Sequence, residues 1–211
     1  MLRRRELMAE RGGLPVGYKL CKYLESNRKQ YIDTKIKSSD LFTVSIDFRM
    51  TAPMIGVPQE WVFGEWSNAK AAALIGLYNN KFYVYYGQDN TNCYFQPFHN
   101  CDNFRHKIGW TKEKYIFDDY ESTTKPNFCA PFLNNNVYIF SRGGTQANAA
   151  CCIYSCIIGN DDKSKNRNYI PSLDPSGRPC MYDTVTKQPF YNQGSGEFGY
   201  ELMDGTYVAP V

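Results

Sequence analysis

The stretch Leu41–Met50, LFTVSIDFRM, decides the fold. Phe42, Val44, Ile46 and Phe48 fall on one side of an extended chain, and Thr43, Ser45, Asp47 and Arg49 fall on the other. A period of two with β-branched and aromatic residues on one side marks a half-buried antiparallel strand. The preceding segment, Tyr31–Asp40 (YIDTKIKSSD), reads as a strand that runs into a polar turn.

Working outward, Tyr18–Leu24 and Tyr31–Thr34 read as strands separated by the turn Ser26–Lys29. After a loop with Pro53 and Pro58 come Glu60–Ser67 (EWVFGEWS) and Ala71–Tyr78, the second apolar on both faces as a covered strand would be. Asn79-Asn80 then makes a two-residue turn into Lys81–Tyr86, because Asn tolerates positive φ. Asp89–Asp102 reads as an irregular loop. Phe104–Trp110 pairs with Lys114–Asp118, and Val137–Ser141 and Cys151–Ile158 read as inner strands separated by RGGTQANA (Arg142–Ala149). Beyond the polar turn Gly159–Asn168, the short strands Tyr169–Pro171, Pro179–Asp183, Pro189–Tyr191 and Glu197–Tyr200 end the chain. Roughly a dozen short strands with regular turn signals indicate a sandwich or barrel. The expectation is an all-β, two-sheet antiparallel jelly roll over residues 14–211, preceded by a short basic arm over residues 1–13.

The totals agree. A chain of 211 residues suits one all-β domain. The 17 Tyr and 13 Phe favour strands and aromatic surface patches. A net charge of +3 offers no broad basic surface for nucleic acid. Mean hydropathy of -0.51 fits a soluble protein, and no apolar run approaches the roughly 18 residues that would span a membrane. The arm carries Arg3, Arg4, Arg5 and Arg11 against Glu6 and Glu10. A helix of about 11 residues is marginal alone, so the arm reads either as a segment that docks on a partner or as a solvated terminus.

The eight cysteines are Cys21, Cys93, Cys101, Cys129, Cys151, Cys152, Cys156 and Cys180. The start MLRRRELMAERGG has charge and no apolar core, so no secretory signal is expected and the thiols read as mostly free and buried. Cys93–Cys101 is the best-placed pair for a disulfide.

The order of segments resembles the concanavalin A-like (laminin-G-type) jelly rolls of gut-bacterial surface proteins and of structural proteins of their phages. The matching stretches are Gly17–Phe48, WVFGEW (Trp61–Trp66), FRHKIGW (Phe104–Trp110), VYIFSR (Val137–Arg142), IYSCII (Ile153–Ile158) and YIPSLDPSGRPCMYDTVTKQPFYNQGSGEF (Tyr169–Phe198). The last is the most specific. The resemblance implies a lectin-like sandwich and much less about function, since sites are grafted on folds. An arginine-rich start without an export signal resembles phage structural proteins more than secreted lectins. It implies a virion protein made in the host cytoplasm, docked on other virion proteins through its arm and, like many such proteins, oligomeric.

Three chemistries follow from this fold and these residues. Glycoside hydrolysis needs two carboxylates about 5–5.5 Å apart for retention, and glucanases of this fold carry them as Glu-x-Asp-x-x-Glu along one strand. Here VSIDFRM offers Asp47 alone, Glu60 and Glu65 lie on opposite faces of a regular strand, and Asp118 and Asp119 face apart. No catalytic residue is therefore assigned, with a hydrolase or a bacterial surface carbohydrate-binding module as the alternatives. Metal chemistry has thin support. His99 with Cys93 and Cys101 matches no zinc spacing, and His106, flanked by Phe104, Ile108 and Trp110, reads as a core histidine. Asp161-Asp162 with Asn160 and Asn166 offers calcium oxygens in no known loop spacing and reads first as a solvated turn, so no cofactor is expected. Sugar binding wants aromatic faces with polar partners. Trp61, Trp66, Tyr83, Tyr85 and Trp110 supply the first, and Arg105 and Arg142 the second, with Asn90 and Asn92 beside them. The sequence reading is thus a non-enzymatic, lectin-like phage virion protein that decorates the capsid or tail and contacts host glycans, with neither nucleic acid nor membrane as a partner. Asp183 reads as closing a turn before Thr184, and Gly194 and Gly196 as positive-φ positions.

Overall fold

The computed structural model describes residues 13–38, 43–52, 59–68, 71–88, 94–95, 100–122, 135–144, 148–160 and 163–211. In chain order the first strands are β1 (Lys19–Asn27), β2 (Ile32–Lys37), β3 (Thr43–Met50), β4 (Gln59–Asn68), β5 (Ala71–Tyr78), β6 (Lys81–Gln88) and β7 (Tyr94–Phe95). Next come β8 (Arg105–Trp110), β9 (Tyr115–Phe117), β10 (Tyr120–Glu121), β11 (Asn136–Ile139) and β12 (Ala150–Gly159). The chain closes with β13 (Arg167–Leu173), β14 (Pro179–Asp183), β15 (Gln188–Tyr191), β16 (Gly199–Leu202) and β17 (Tyr207–Val208).

Two antiparallel sheets form. One runs β10-β9-β8-β3-β12-β1-β13-β14-β15, with β16 also on β1 and β17 on β16, making eleven strands. The other runs β2-β11-β4-β5-β6-β7. In β3 the expected alternation holds, with Val44, Ile46 and Phe48 fully buried and Thr43, Ser45 and Asp47 partly exposed; Phe42 lies outside the described residues. The buried row faces the other sheet. Phe48 meets Phe82 of β6 at 6.0 Å between ring centroids, and Trp110 of β8 meets Phe63 of β4 and Tyr86 of β6 at 6.2 and 4.9 Å. The chain is an all-β sandwich whose single main core lies between the sheets.

Sheet register follows from local chemistry. Asn79 and Asn80 take φ of 49° and 60°, the left-handed values a two-residue hairpin needs, and β5 and β6 pair from Tyr78↔Lys81 onward. The β11 strand ends at Ile139 rather than Ser141 because Phe140 turns to φ 68° and gives its amide to the Val62 carbonyl at 2.7 Å. Asp183 closes the expected turn, with Oδ1 accepting the Val185 amide at 3.0 Å. Gly196 takes φ 69°, whereas Gly194 is required for closeness, since a Cβ there would lie 1.9 Å from the Lys29 carbonyl oxygen. The two-residue strands β7, β10 and β17 escape a pattern-based reading because alternation needs more length than they have.

Six described cysteines are free thiols, five of them buried. Cys101 is among the six, while Cys93 and Cys129 lie outside the described residues. The basic arm with Arg3, Arg4, Arg5 and Arg11, and also Asn90, Asn92, His99, Asp161 and Asp162, lie outside them as well.

His106 is the core histidine expected, and it is fully satisfied. Its Nδ1 pairs with Asp118 Oδ2 at 2.7 Å, its Nε2 with Asp102 Oδ1 at 2.8 Å, and its ring packs against Phe82 and Phe117. Burial opposes the imidazolium, but hydrogen bonds and charge from Asp118 and Asp102 outweigh it, so the pKa is raised.

Two predictions test this frame. Trp110→Ala removes a fully buried ring and is expected to lower unfolding free energy by about 3–5 kcal/mol, where Trp66→Ala, at a site 37% exposed, costs roughly 1 kcal/mol or less. Denaturant titrations read both, and equal losses would refute the assignment of Trp110 to the core. For His106, a raised folded pKa means stabilisation that is complete below the unfolded value of about 6.5 and lost as pH climbs through the folded one. The stability deficit of His106→Asn should therefore be largest near pH 6 and shrink toward pH 9. A deficit that grows with pH would contradict it.

Candidate functional site

The site is built on β4, and one extra residue builds it. Trp61 pairs with Gly76 and Phe63 with Ile75, so Val62 is an unpaired bulge. Val62 and Phe63 both enter the main core, after which Gly64 faces out, Glu65 in and Trp66 out. Residues five apart fall on opposite faces of a regular strand. The bulge reverses this. Trp61 and Trp66 share the outer face of the six-stranded sheet, and Glu60 and Glu65, expected on opposite faces, both turn inward and are 1% exposed. Gly64 makes the local geometry possible, since at φ 141° a Cβ would lie 2.0 Å from the Ala73 carbonyl oxygen.

The hairpin register sets the opposite wall. Gly76↔Tyr83 and Leu74↔Tyr85 put both tyrosines on the outer face while Phe82, Val84 and Tyr86 go to the core. Trp61, Leu74 and Tyr85 form a small second apolar cluster with Tyr83 against it. Trp61 and Tyr83 meet edge-on at 6.2 Å, and Tyr78 and Tyr83 are 6.0 Å apart. Between Trp61 and Tyr83 stands Gly76, where a Cβ would lie 2.7 Å from the Trp61 Cα. Glycine there lets Trp61 lie close against β5. The result is a cleft of about 240 Å³ lined by Gln59, Trp61, Trp66, Leu74, Tyr78, Tyr83 and Tyr85.

Polar groups edge the cleft. Gln59 Oε1 accepts from Trp61 Nε1 at 3.3 Å and from Arg142 Nη1 at 3.2 Å. The Arg142 guanidinium lies over the Trp66 ring at 5.1 Å. Ser141 gives its hydroxyl to the Gly144 carbonyl at 2.7 Å, closing the turn that carries Arg142, and Gly143 and Gly144 supply the positive φ this turn requires. Across Trp66 lies a second cleft of about 390 Å³, with Lys37, Glu65, Asn135, Asn136, Tyr138 and Gly143 on its walls.

Of the seven residues selected for sugar contact, five are thus gathered here: Trp61, Trp66, Tyr83, Tyr85 and Arg142. Two are not. Trp110 points between the sheets and is fully buried. Arg105 lies on β8 in the other sheet, where it grips Asp47 with both Nε and Nη2 at 2.7 Å and stacks on Tyr154 at 3.9 Å. Gln59, Gly76 and Tyr78 were missed. The register fixed by the Asn79-Asn80 turn was the signal for Gly76 and Tyr78, since it sets Gly76 against Tyr83.

The three carboxylates weighed for hydrolysis do not converge. Asp47 is bound to Arg105 on the outer side of the eleven-stranded sheet. Glu60 pairs with Arg28 at 2.6 Å and accepts the Ala150 amide at 2.9 Å, tying the two sheets together. Glu65 accepts from Asn135 at 3.3 Å. A third cleft holds Cys101 and Asp102, but burial and then the neighbouring carboxylates push the Cys101 thiol up to about 11, away from nucleophilic use. Among the described residues no group of three or more His, Cys, Asp or Glu is placed to hold a metal ion.

No protein-family model matches the chain, and no curated protein matches it.

Proposed function

We propose that this protein is a lectin-like module that binds a carbohydrate on the outer face of its six-stranded sheet. The observation that carries the reading is the convergence of Trp61, Trp66, Tyr83 and Tyr85 on one cleft edged by Gln59 and Arg142. The exposed ring of Trp66 and the partly exposed ring of Tyr83, backed by the buried Trp61 and Tyr85, suit the C–H faces of a sugar ring, and an amide and a guanidinium suit its oxygens. The cleft is smaller than the roughly 300–1,000 Å³ typical of drug-sized ligands, in keeping with one ring at a time and with extension past Trp66 into the second cleft.

The resemblance to concanavalin A-like domains supports the same reading, and its phage members supply a setting. In that setting the module belongs to a virion, decorates the capsid or tail, and presents the cleft to host-surface glycans while Arg3, Arg4, Arg5 and Arg11 contact other virion proteins. The structurally engaged positions of the partly exposed Asp47 and the buried Glu60 favour binding over turnover.

Glycan-array and whole-cell binding with product analysis test this. The expected result is saturable binding without cleavage, with Trp66→Ala weakening it by about 2 kcal/mol, roughly thirtyfold in Kd, while its melting transition stays close to that of the parent. Binding unaffected by Trp66→Ala and Tyr83→Ala would place the sugar elsewhere, and no binding to any glycan or cell would overturn the proposal.

A further inference from the structure

Among the described residues Arg142 has no carboxylate partner. Arg28 meets Glu60, Arg105 meets Asp47 and Arg167 meets Asp183, while Arg49 reaches the Cys152 sulfur and Arg178 lies over the Tyr191 ring. Arg142 meets a neutral amide, Gln59, through Nη1, and a ring, Trp66. Its Nε is buried with no hydrogen-bond partner, and no carboxylate pairs with it among the described residues. The turn closed by Ser141 and Gly144 holds it in place, so little conformational freedom remains to be lost on binding. Burial disfavours the charge and draws its pKa down, yet a guanidinium stays protonated in proteins. The aromatic cleft therefore ends in a fixed, partly desolvated positive charge.

We infer that the sugar received by this cleft is acidic, a uronic or sialic acid-type residue whose carboxylate is taken by Arg142 while its ring lies along Trp66. The inference rests on the carbohydrate reading above and narrows it to a substrate class. A planar guanidinium matches a carboxylate in shape and charge, and the attraction is strengthened where water is excluded by Trp66. Gln59 occupies Nη1, which leaves Nη2 for a ligand oxygen. The nearest acidic side chain across Trp66, Glu65, is itself hydrogen-bonded to Asn135. Lys37, on the far wall of that second cleft, adds positive charge along the direction in which a chain would extend.

The test is calorimetric titration of the full chain with oligosaccharides that differ only at the terminal ring: a glucuronide, its methyl ester and the corresponding glucoside. The expected result is that the free acid binds at least tenfold more tightly than ester or glucoside, with the margin shrinking as salt rises. Arg142→Gln, which keeps an amide beside Gln59, should abolish the margin, so that the variant binds acid, ester and glucoside alike. The ester comparison uses the unaltered protein, so the outcome stands even if the variant folds poorly. Equal binding of acid, ester and glucoside would overturn the inference while leaving the carbohydrate reading intact, as would an acid preference that survives Arg142→Gln. Binding of none of the three, nor of their galacto and sialyl counterparts, would overturn both.

Discussion

Side chains along a strand alternate with a period of two, so a single unpaired residue exchanges the faces of everything beyond it. In β4 that residue is Val62. With it, Trp61 and Trp66 stand on one surface and Glu60 and Glu65 turn to the other. Without it, one tryptophan would be driven between the sheets and one buried carboxylate would move to the surface. The bulge is held from both sides. β11 meets it through the Phe140 amide on the Val62 carbonyl, and β5 lies so close that only glycine fits at Gly64. The aromatic cleft, the buried Glu60 and the ending of β11 all depend on the same extra residue.

Glu60 shows why the arrangement is stable as well as possible. A carboxylate at 1% exposure is unfavourable unless its oxygens are engaged. Here Oε1 receives the Arg28 guanidinium from the turn between β1 and β2, and Oε2 receives the Ala150 amide at the start of β12. Both partners lie outside the sheet that carries Glu60. The residue next to Trp61 is therefore anchored to the opposite layer of the sandwich, and Trp61 inherits a fixed position. His106 does comparable work at the other end, where Asp118 and Asp102 fix the β8–β9 hairpin against Phe82.

Much of this frame was legible in the sequence, and the limits have physical causes. The β3 alternation, the Asn79-Asn80 hairpin, the Asp183 turn and the buried thiols depend on residues within a few positions of one another, which a linear reading can weigh. The bulge at Val62 does not. It is set by pairing with β5 and β11, which approach from about 10 and 75 positions away, so EWVFGEW reads as a regular strand. The error about Glu60 and Glu65 follows directly from that. Trp110 was misplaced for a related reason: a tryptophan on an alternating strand announces that one face is apolar, not whether that face is core or surface. Arg142 stands out by residue type, but that it meets Gln59 and Trp66 rather than a carboxylate among the described residues depends on the fold.

That distribution of charge bears on what the cleft can do. Cleavage of a glycosidic bond in the usual way needs two carboxyl groups facing the same bond, one to give a proton and one to attack or to activate water. Among the described residues the lining of the aromatic cleft contains rings, a glutamine and a leucine, with a guanidinium at the rim, and no carboxyl group. Glu60, one residue from Trp61, is spent on joining the sheets, and Asp47 on holding Arg105. What stays available at the surface is suited to stacking and to receiving negative charge. In the reading proposed above, the rings would stack on the sugar and the guanidinium would receive the carboxylate that an acidic sugar brings.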